Sequence, residues 1–391
     1  MNELKIAFLI GEIHPNAGQT YNIAEIIKYL LFTHPNWEIS VFTKRIYYPL
    51  VEGIDDNRVK IIKLDQYYTA IILRAKLANI LKEYDVLYVK GNYPYVFPAI
   101  RTGKPTILVV HQMDSPKLFT GAIPKIKIIF SNLMTGYVIK KPDLVVTVTD
   151  ELSSFYQKKY GIKVQVIEDQ ISDLYFRSRL RNAIDEHGII KLLTVGNWDG
   201  FNGRKRHEVL LSYFAAAVKS MPNIHLNICG LSGDNIEKLN KLVVEMNLLE
   251  NVGLKGYLKD DELLSAYQSC DIYVTATTFE GFYRQVVEGF ATGMPALVFD
   301  SREIVGDPSS TASVNHVLKS GAGEIYDDSE TFISSLKKMT HNYMDYPTKA
   351  EMYADNFSSQ VVGKKTEEMI RNAVSHCNRE ERSLKKIMRR T

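Results

Sequence analysis

Short β-branched or apolar runs alternate along this chain with longer stretches whose apolar positions recur every three to four residues. The first kind reads as buried parallel strands, the second as helices packed over them. In the first half this pattern predicts strands at 5–10, 38–43, 59–63, 86–90, 106–110 and 144–148, with a helix at 22–32. In the second half it predicts strands at 191–195, 225–229, 252–255, 271–275 and 296–299, separated by helices at 206–219, 235–246 and 261–268. Strand–helix alternation of this kind is α/β architecture with parallel sheets.

A chain of 391 residues exceeds one ordinary core, so two domains are expected. The charged, apolar-poor stretch at 176–188 (Arg177, Arg179, Arg181, Asp185, Glu186, Gly188) marks the break. The expected division is 1–176, 177–350 and a helical segment with a basic tail at 351–391. Two doubly wound halves would bind ligands at strand C-terminal ends. A formal charge of +3 gives no case for nucleic acid. Three cysteines, Cys229, Cys270 and Cys377, have no metal-ligand spacing, and so sparse a set fits a reducing compartment. Cys229 and Cys270 lie in strand-like contexts and are expected in the core. The opening MNELKIAFLIGEI reads as a first strand rather than a signal peptide, and no apolar run has membrane-span length, so the expected location is cytoplasmic.

The candidate chemistry concentrates at 271–300, DIYVTATTFEGFYRQVVEGFATGMPALVFD, a strand, a polar loop, a helix and a new strand. Glu280 and Glu288 are eight positions apart, about 12 Å if helical. That is roughly the reach from the hexose to the ribose of a nucleotide-sugar, and carboxylates grip the vicinal hydroxyls of both. Backbone N–H groups at Phe282, Tyr283 and Arg284 would face the diphosphate between them. Taken alone, the spacing more often describes two ordinary polar residues on a half-buried helix.

The wider pattern separates these readings. The segment resembles the E-x7-E signature of family-4 retaining glycosyltransferases of the GT-B superfamily: Thr277, Glu280, Gly281, Phe282, Glu288, Ala291, Gly293 and Pro295 fit it, while Tyr283 and Gly289 depart. The resemblance implies a GT-B fold, with two Rossmann-like domains facing a cleft and the C-terminal helix crossing back to the first domain. KLLTVGNWDGFNGRKRHEVLLSYFAAA resembles the family's phosphate-binding segment, with Gly196 at the strand end and Lys205 as its lysine. Asn197 stands where the family has arginine, and Arg204 is placed to supply that charge. By itself, Arg204-Lys205-Arg206 would read as a solvated basic turn. Gly230, with Gly256, Tyr257 and Leu258, resembles the family's donor and base-edge segments. Around Gly18 the chain resembles the family's Gly-rich first loop, with Pro15 and Ala17, on the acceptor side; His14 is a lesser candidate there. His111 in ILVVHQMD corresponds to the strand-end histidine beside the reacting sugar, although a lone histidine at a strand end is more often structural. The segment 166–176 occupies the family's hinge, with Glu168, Asp169, Gln170 and Ser172 replacing its usual residues.

What the resemblance implies is transfer of a hexosyl group from a nucleotide-diphospho-sugar, UDP- or GDP-linked, to a saccharide or lipid-linked acceptor hydroxyl, with retention of configuration. Glu280, His111, Lys205 and Arg204 would serve catalysis; Glu288, Gly281, Phe282, Tyr283, Arg284, Gly256, Tyr257, Leu258, Gly196, Asn197, Gly230 and Gly18 would bind donor. The chain has no D-x-D sequence of the metal-dependent type, so a metal-independent site without cofactor is expected. A non-catalytic partner of another transferase and a nucleotide-sugar epimerase are the alternatives. Segment 116–141 carries five lysines and no acid among apolar residues, and the tail 378–391 is basic. Both suggest peripheral contact with an anionic membrane, against the alternative of a solvated basic face.

Overall fold

In the computed structural model the described residues are 3–14, 17–64, 73–91, 93–111, 122–176, 181–185, 188–198, 200–201, 203–302 and 312–388. Pro15, Arg177 and Arg179, part of 116–141 and the side chains of 378–391 lie outside the described residues.

The chain divides into two compact units. The first runs to Gln170 and is taken up again at Ser358; the second spans Ile171–Phe357. The first holds a sheet of seven strands: β1 (Lys5–Ile13), β2 (Glu38–Ile46), β3 (Val59–Lys63), β4 (Val86–Lys90), β5 (Thr106–Val110), β6 (Leu144–Thr147) and β7 (Val164–Val166). Their order across the sheet is β3-β2-β1-β4-β5-β6-β7, and every pairing is parallel. The second holds six parallel strands: β8 (Ile190–Val195), β9 (Ile224–Leu231), β10 (Val252–Gly256), β11 (Ile272–Thr275), β12 (Ala296–Phe299) and β13 (Gly323–Tyr326). They are ordered β10-β9-β8-β11-β12-β13. Both units are Rossmann-like, and the central strands are buried on both faces, which is why they read as unbroken apolar runs.

The segment from Ser358 belongs to the first unit because its apolar face completes that unit's core. Val362, Met369, Ile370 and Val374 pack with Leu30, Trp37 and the strands β1 and β2. Gly363 lies so close to Tyr29 that a Cβ there would fall 2.4 Å from the ring. The helix Lys364–Met388 then adds a polar clasp: Glu367 accepts from Arg371 at 2.7 Å and pairs with His34 at 2.7 Å, while the Arg371 guanidinium covers the Trp37 ring at 4.9 Å. Arg181, read from sequence as a linker charge, instead staples the second unit, donating to the carbonyls of Tyr267 (2.8 Å) and Thr292 (2.9 Å).

Candidate active site

In the second sheet, strand order reverses between β8 and β11, and open α/β sheets bind ligands beyond the strand ends at such a point. The loops that leave these two strands carry Arg204 and Lys205 on one side and Glu280 on the other. Thr278 sews them together, its N–H donating to the Arg204 carbonyl at 2.9 Å. Lys205 Nζ then lies 2.8 Å from Glu280 Oε1, with Arg204 Nη1 3.7 Å from the same oxygen. Lys205 precedes the helix His207–Val218 by two residues rather than opening it, because Arg206 turns left-handed (φ +48°) at its N-cap.

Two glycines make room for this arrangement. A Cβ on Gly196 (φ +149°) would press on Lys205 Cε at 3.1 Å. Gly230 (φ +88°) lets β9 approach so closely that a Cβ would meet the Gly196 nitrogen at 3.3 Å. Asn197, exposed in the same turn, accepts at Oδ1 from the Ser232 N–H, the Ser232 hydroxyl and Asn235 Nδ2, each at 3.0 Å. It therefore works as a brace between the β8 and β9 loops.

Burial pushes the Glu280 carboxyl up, but Lys205 and Arg204 outweigh it and hold the carboxyl below its ordinary value. Burial likewise disfavours the Lys205 ammonium, and Glu280 more than compensates, so its pKa is raised. Lys205 is buried while the Arg204 side chain is 45% exposed. One cation is thus fixed and the other can move.

Tyr283 and Phe282, expected to face a donor through their backbone N–H groups, have side chains that anchor the turn. Tyr283 is buried, with its hydroxyl hydrogen-bonded to the Thr275 and Thr277 hydroxyls and its ring under Lys205 Nζ at 4.8 Å. This anchoring sustains a left-handed backbone (φ +62°) that a bulky residue otherwise avoids. Phe282 packs against the rings of His316 and Phe357 at 4.9 and 5.3 Å. Gly281 is buried between these neighbours and Glu280. On the helix Arg284–Ala291, Arg284 Nε donates to Glu288 Oε1 at 3.4 Å, and the Tyr267 hydroxyl donates to Glu288 Oε2 at 3.0 Å. Both side chains are buried.

Sequence reasoning missed His316. It is buried in the helix Ala312–Ser320, and its Nε2–H donates to the Phe282 carbonyl while Nδ1 accepts from the Tyr353 hydroxyl at 3.0 Å. Burial pushes its pKa down to about 4. No local motif announces it; only the fold brings it to the turn before Tyr283.

At the end of β10, Gly256 and Leu258 are half-buried and Tyr257 is exposed. In the first unit, Gly18 opens the helix Gly18–Thr33, and the His14 N–H donates to the Thr20 hydroxyl at 3.1 Å. His111, buried after β5, has Nδ1 3.5 Å from Oδ2 of Asp169, a residue that had no place in the expected site. Among the described residues, no group of three His, Cys, Asp or Glu side chains could hold a metal ion.

Residues 182–307 match the family model described as glycosyl transferases group 1. The matched residues all lie within the second unit. Over 96 residues the chain is 33% identical to the UDP-N-acetylglucosamine–peptide N-acetylglucosaminyltransferase GtfA subunit of Streptococcus parasanguinis, covering 25% of this chain and 18% of that one. Over 98 residues it is 33% identical to the poly(glycerol-phosphate) alpha-glucosyltransferase of Bacillus subtilis, covering 24% and 14%. The chain therefore spans less than a fifth of the length of either relative. Along its whole length it is similar in fold to a glycosyltransferase from Rickettsia africae (TM-score 0.72, 15% identity, 96% of this chain and 99% of the other). It is similarly related to Anabaena HepE, solved with UDP and glucose (TM-score 0.68, 13% identity, 94% and 100%). With two parallel-sheet units and these likenesses, the fold is GT-B. The group 1 domain spans the Arg204, Lys205, Glu280 and Glu288 arrangement, including both loops at the strand-order reversal.

Proposed function

We propose that the chain transfers a sugar from a nucleotide-diphospho-sugar to an acceptor hydroxyl with retention of configuration. The observation that carries this reading is the pair of buried Lys205 and half-buried Glu280 with Arg204 beside it, at the strand-order reversal of the matched domain. A fixed ammonium and a movable guanidinium suit a diphosphate whose negative charge grows as the bond to the sugar breaks. Glu280 would accept hydrogen bonds from sugar hydroxyls once the diphosphate shares its cations. Glu288 is assigned to the ribose hydroxyls, for which it must exchange the Tyr267 or Arg284 contact. The acceptor oxygen would attack the anomeric carbon on the face the diphosphate leaves, and its proton would pass to a departing phosphate oxygen. Charge stabilisation by Lys205 and Arg204 makes the reaction metal-independent in this proposal. UDP is the favoured carrier, since UDP stands in the names of relatives and structures to which the chain is similar.

The test is thermal unfolding with UDP, GDP, ADP and dTDP in chelator, wild type against Arg204→Ala and Lys205→Ala. A nucleotide at a hundred times its dissociation constant adds about 2.7 kcal/mol. UDP alone is expected to stabilise wild type, and both variants should lose most of that gain. No stabilisation by any of the four nucleotides would overturn the donor assignment. Incubating wild type with UDP-sugars and following the anomeric proton by NMR then distinguishes transfer from epimerisation: epimer formed without acceptor would overturn the transfer reading.

A further inference from the structure

Helix Ala122–Val138 carries a set of apolar side chains that stays exposed among the described residues. Ile126, Ile129, Phe130, Leu133 and Tyr137 are between 50% and 68% exposed. At about 100° per residue these five positions fall within an arc of roughly 100°, one continuous stripe along the helix. Scattered exposed apolar residues need no explanation, but a stripe of aliphatic and aromatic side chains is a contact surface.

Charge decides what it contacts. Exposed Lys140 and Lys141 follow the helix, Lys141 Nζ lying 4.5 Å from the centre of the Tyr137 ring. Lys158 and Lys159 end the neighbouring helix Asp150–Tyr160, whose Tyr160 ring fills the space beside Gly136. Across 116–141 there is no acid at all. Asp114 and Asp143 lie just outside this segment, and Asp143 accepts from the Thr106 N–H at 2.8 Å. No described helix is long and apolar enough to cross a membrane.

We infer that this face rests on an anionic lipid surface, the apolar stripe entering the headgroup–acyl boundary and the lysines meeting the headgroups. A protein partner of matching shape would have to supply both an apolar groove and flanking acids; an anionic bilayer supplies both everywhere on its surface. The inference does not depend on the transfer reading, since it concerns a different unit and a different ligand.

The experiment is co-sedimentation of the full chain with phosphatidylcholine vesicles and with vesicles containing 40 mol% phosphatidylglycerol, each at low and high salt. Binding is expected to the anionic vesicles only. Leu133→Ser with Phe130→Ser should reduce it on the order of tenfold or more, and Lys140→Glu with Lys141→Glu by a similar factor that shrinks in high salt. All four side chains are exposed, so thermal unfolding of the variants should match wild type, which keeps a loss of binding from meaning a loss of fold. A Leu133→Trp variant should show blue-shifted emission on anionic vesicles. Equal binding by wild type and both double variants, or no binding at all, would overturn the inference. So would a dimer in light scattering that dissociates in the Leu133→Ser, Phe130→Ser variant, which would assign the stripe to a second copy of the chain.

Discussion

An ammonium as buried as that of Lys205 persists because Glu280 lies 2.8 Å from it, and the carboxylate stays ionised because two cations surround it. Removing Lys205 leaves the Glu280 carboxylate only Arg204, 3.7 Å away and partly exposed, to offset its desolvation. Lys205→Met should therefore lower the free energy of unfolding by about 3 kcal/mol in urea denaturation. Adding Glu280→Gln should recover part of that loss instead of adding to it. Strictly additive effects would show that the two groups do not interact. The same coupling explains why a lysine that reads as part of a solvated basic turn is buried: the residue that holds it lies 75 positions further along the chain.

At the scale of the element, the turn from Phe282 to Tyr283 is held from both sides, by the Thr275 and Thr277 hydroxyls on the tyrosine and by His316 on the Phe282 carbonyl. Neutral His316 satisfies both ring nitrogens, and burial depresses its pKa to about 4. The unfolded chain takes up this proton near pH 6.5 while the folded chain resists until about 4. Its contribution is intact above 6.5 and declines as pH falls through that window, by about 3 kcal/mol in all. His316→Gln should flatten that limb of a stability-against-pH curve, and an unchanged limb would show that another group titrates there. Most strands were legible because burial on both faces makes them continuous apolar runs; β4, β5 and β12 begin and end where that pattern places them. The edge strands β7 and β13 escaped because VQV and GEIY are short and carry polar residues. In the site, Glu280, Glu288 and Lys205 are legible through their motifs. The Asn197 brace, the Tyr267 contact to Glu288 and the His316 bond are made between distant segments, and no local pattern encodes them.

For the whole molecule, the first unit is discontinuous. Its core closes only when Val362, Met369, Ile370 and Val374 pack onto residues from before Gln170. Gly363→Val would drive a side chain into the Tyr29 ring, where even a Cβ falls 2.4 Å from it, and should cost about 2 kcal/mol. Hydrogen exchange should quicken in the helix Gly18–Thr33 and in β1, while β8 and β11 keep their protection. Uniform loosening of all four would mean that the two units do not unfold separately.

This discontinuity also sets an order in time. A growing chain presents residues up to Gln170 first, yet their apolar surface awaits a segment that follows the whole of Ile171–Phe357. At about 5–20 residues per second that interval lasts roughly 10 to 40 seconds, with Leu30, Trp37 and the Tyr29 ring lacking their cover. The second unit, whose core cluster lies within Ile184–Tyr346, has that core on hand before the first. During synthesis the usual sequence of events is thus inverted: the half that emerges earlier matures later, and for that interval it is the part of the nascent chain most dependent on chaperones.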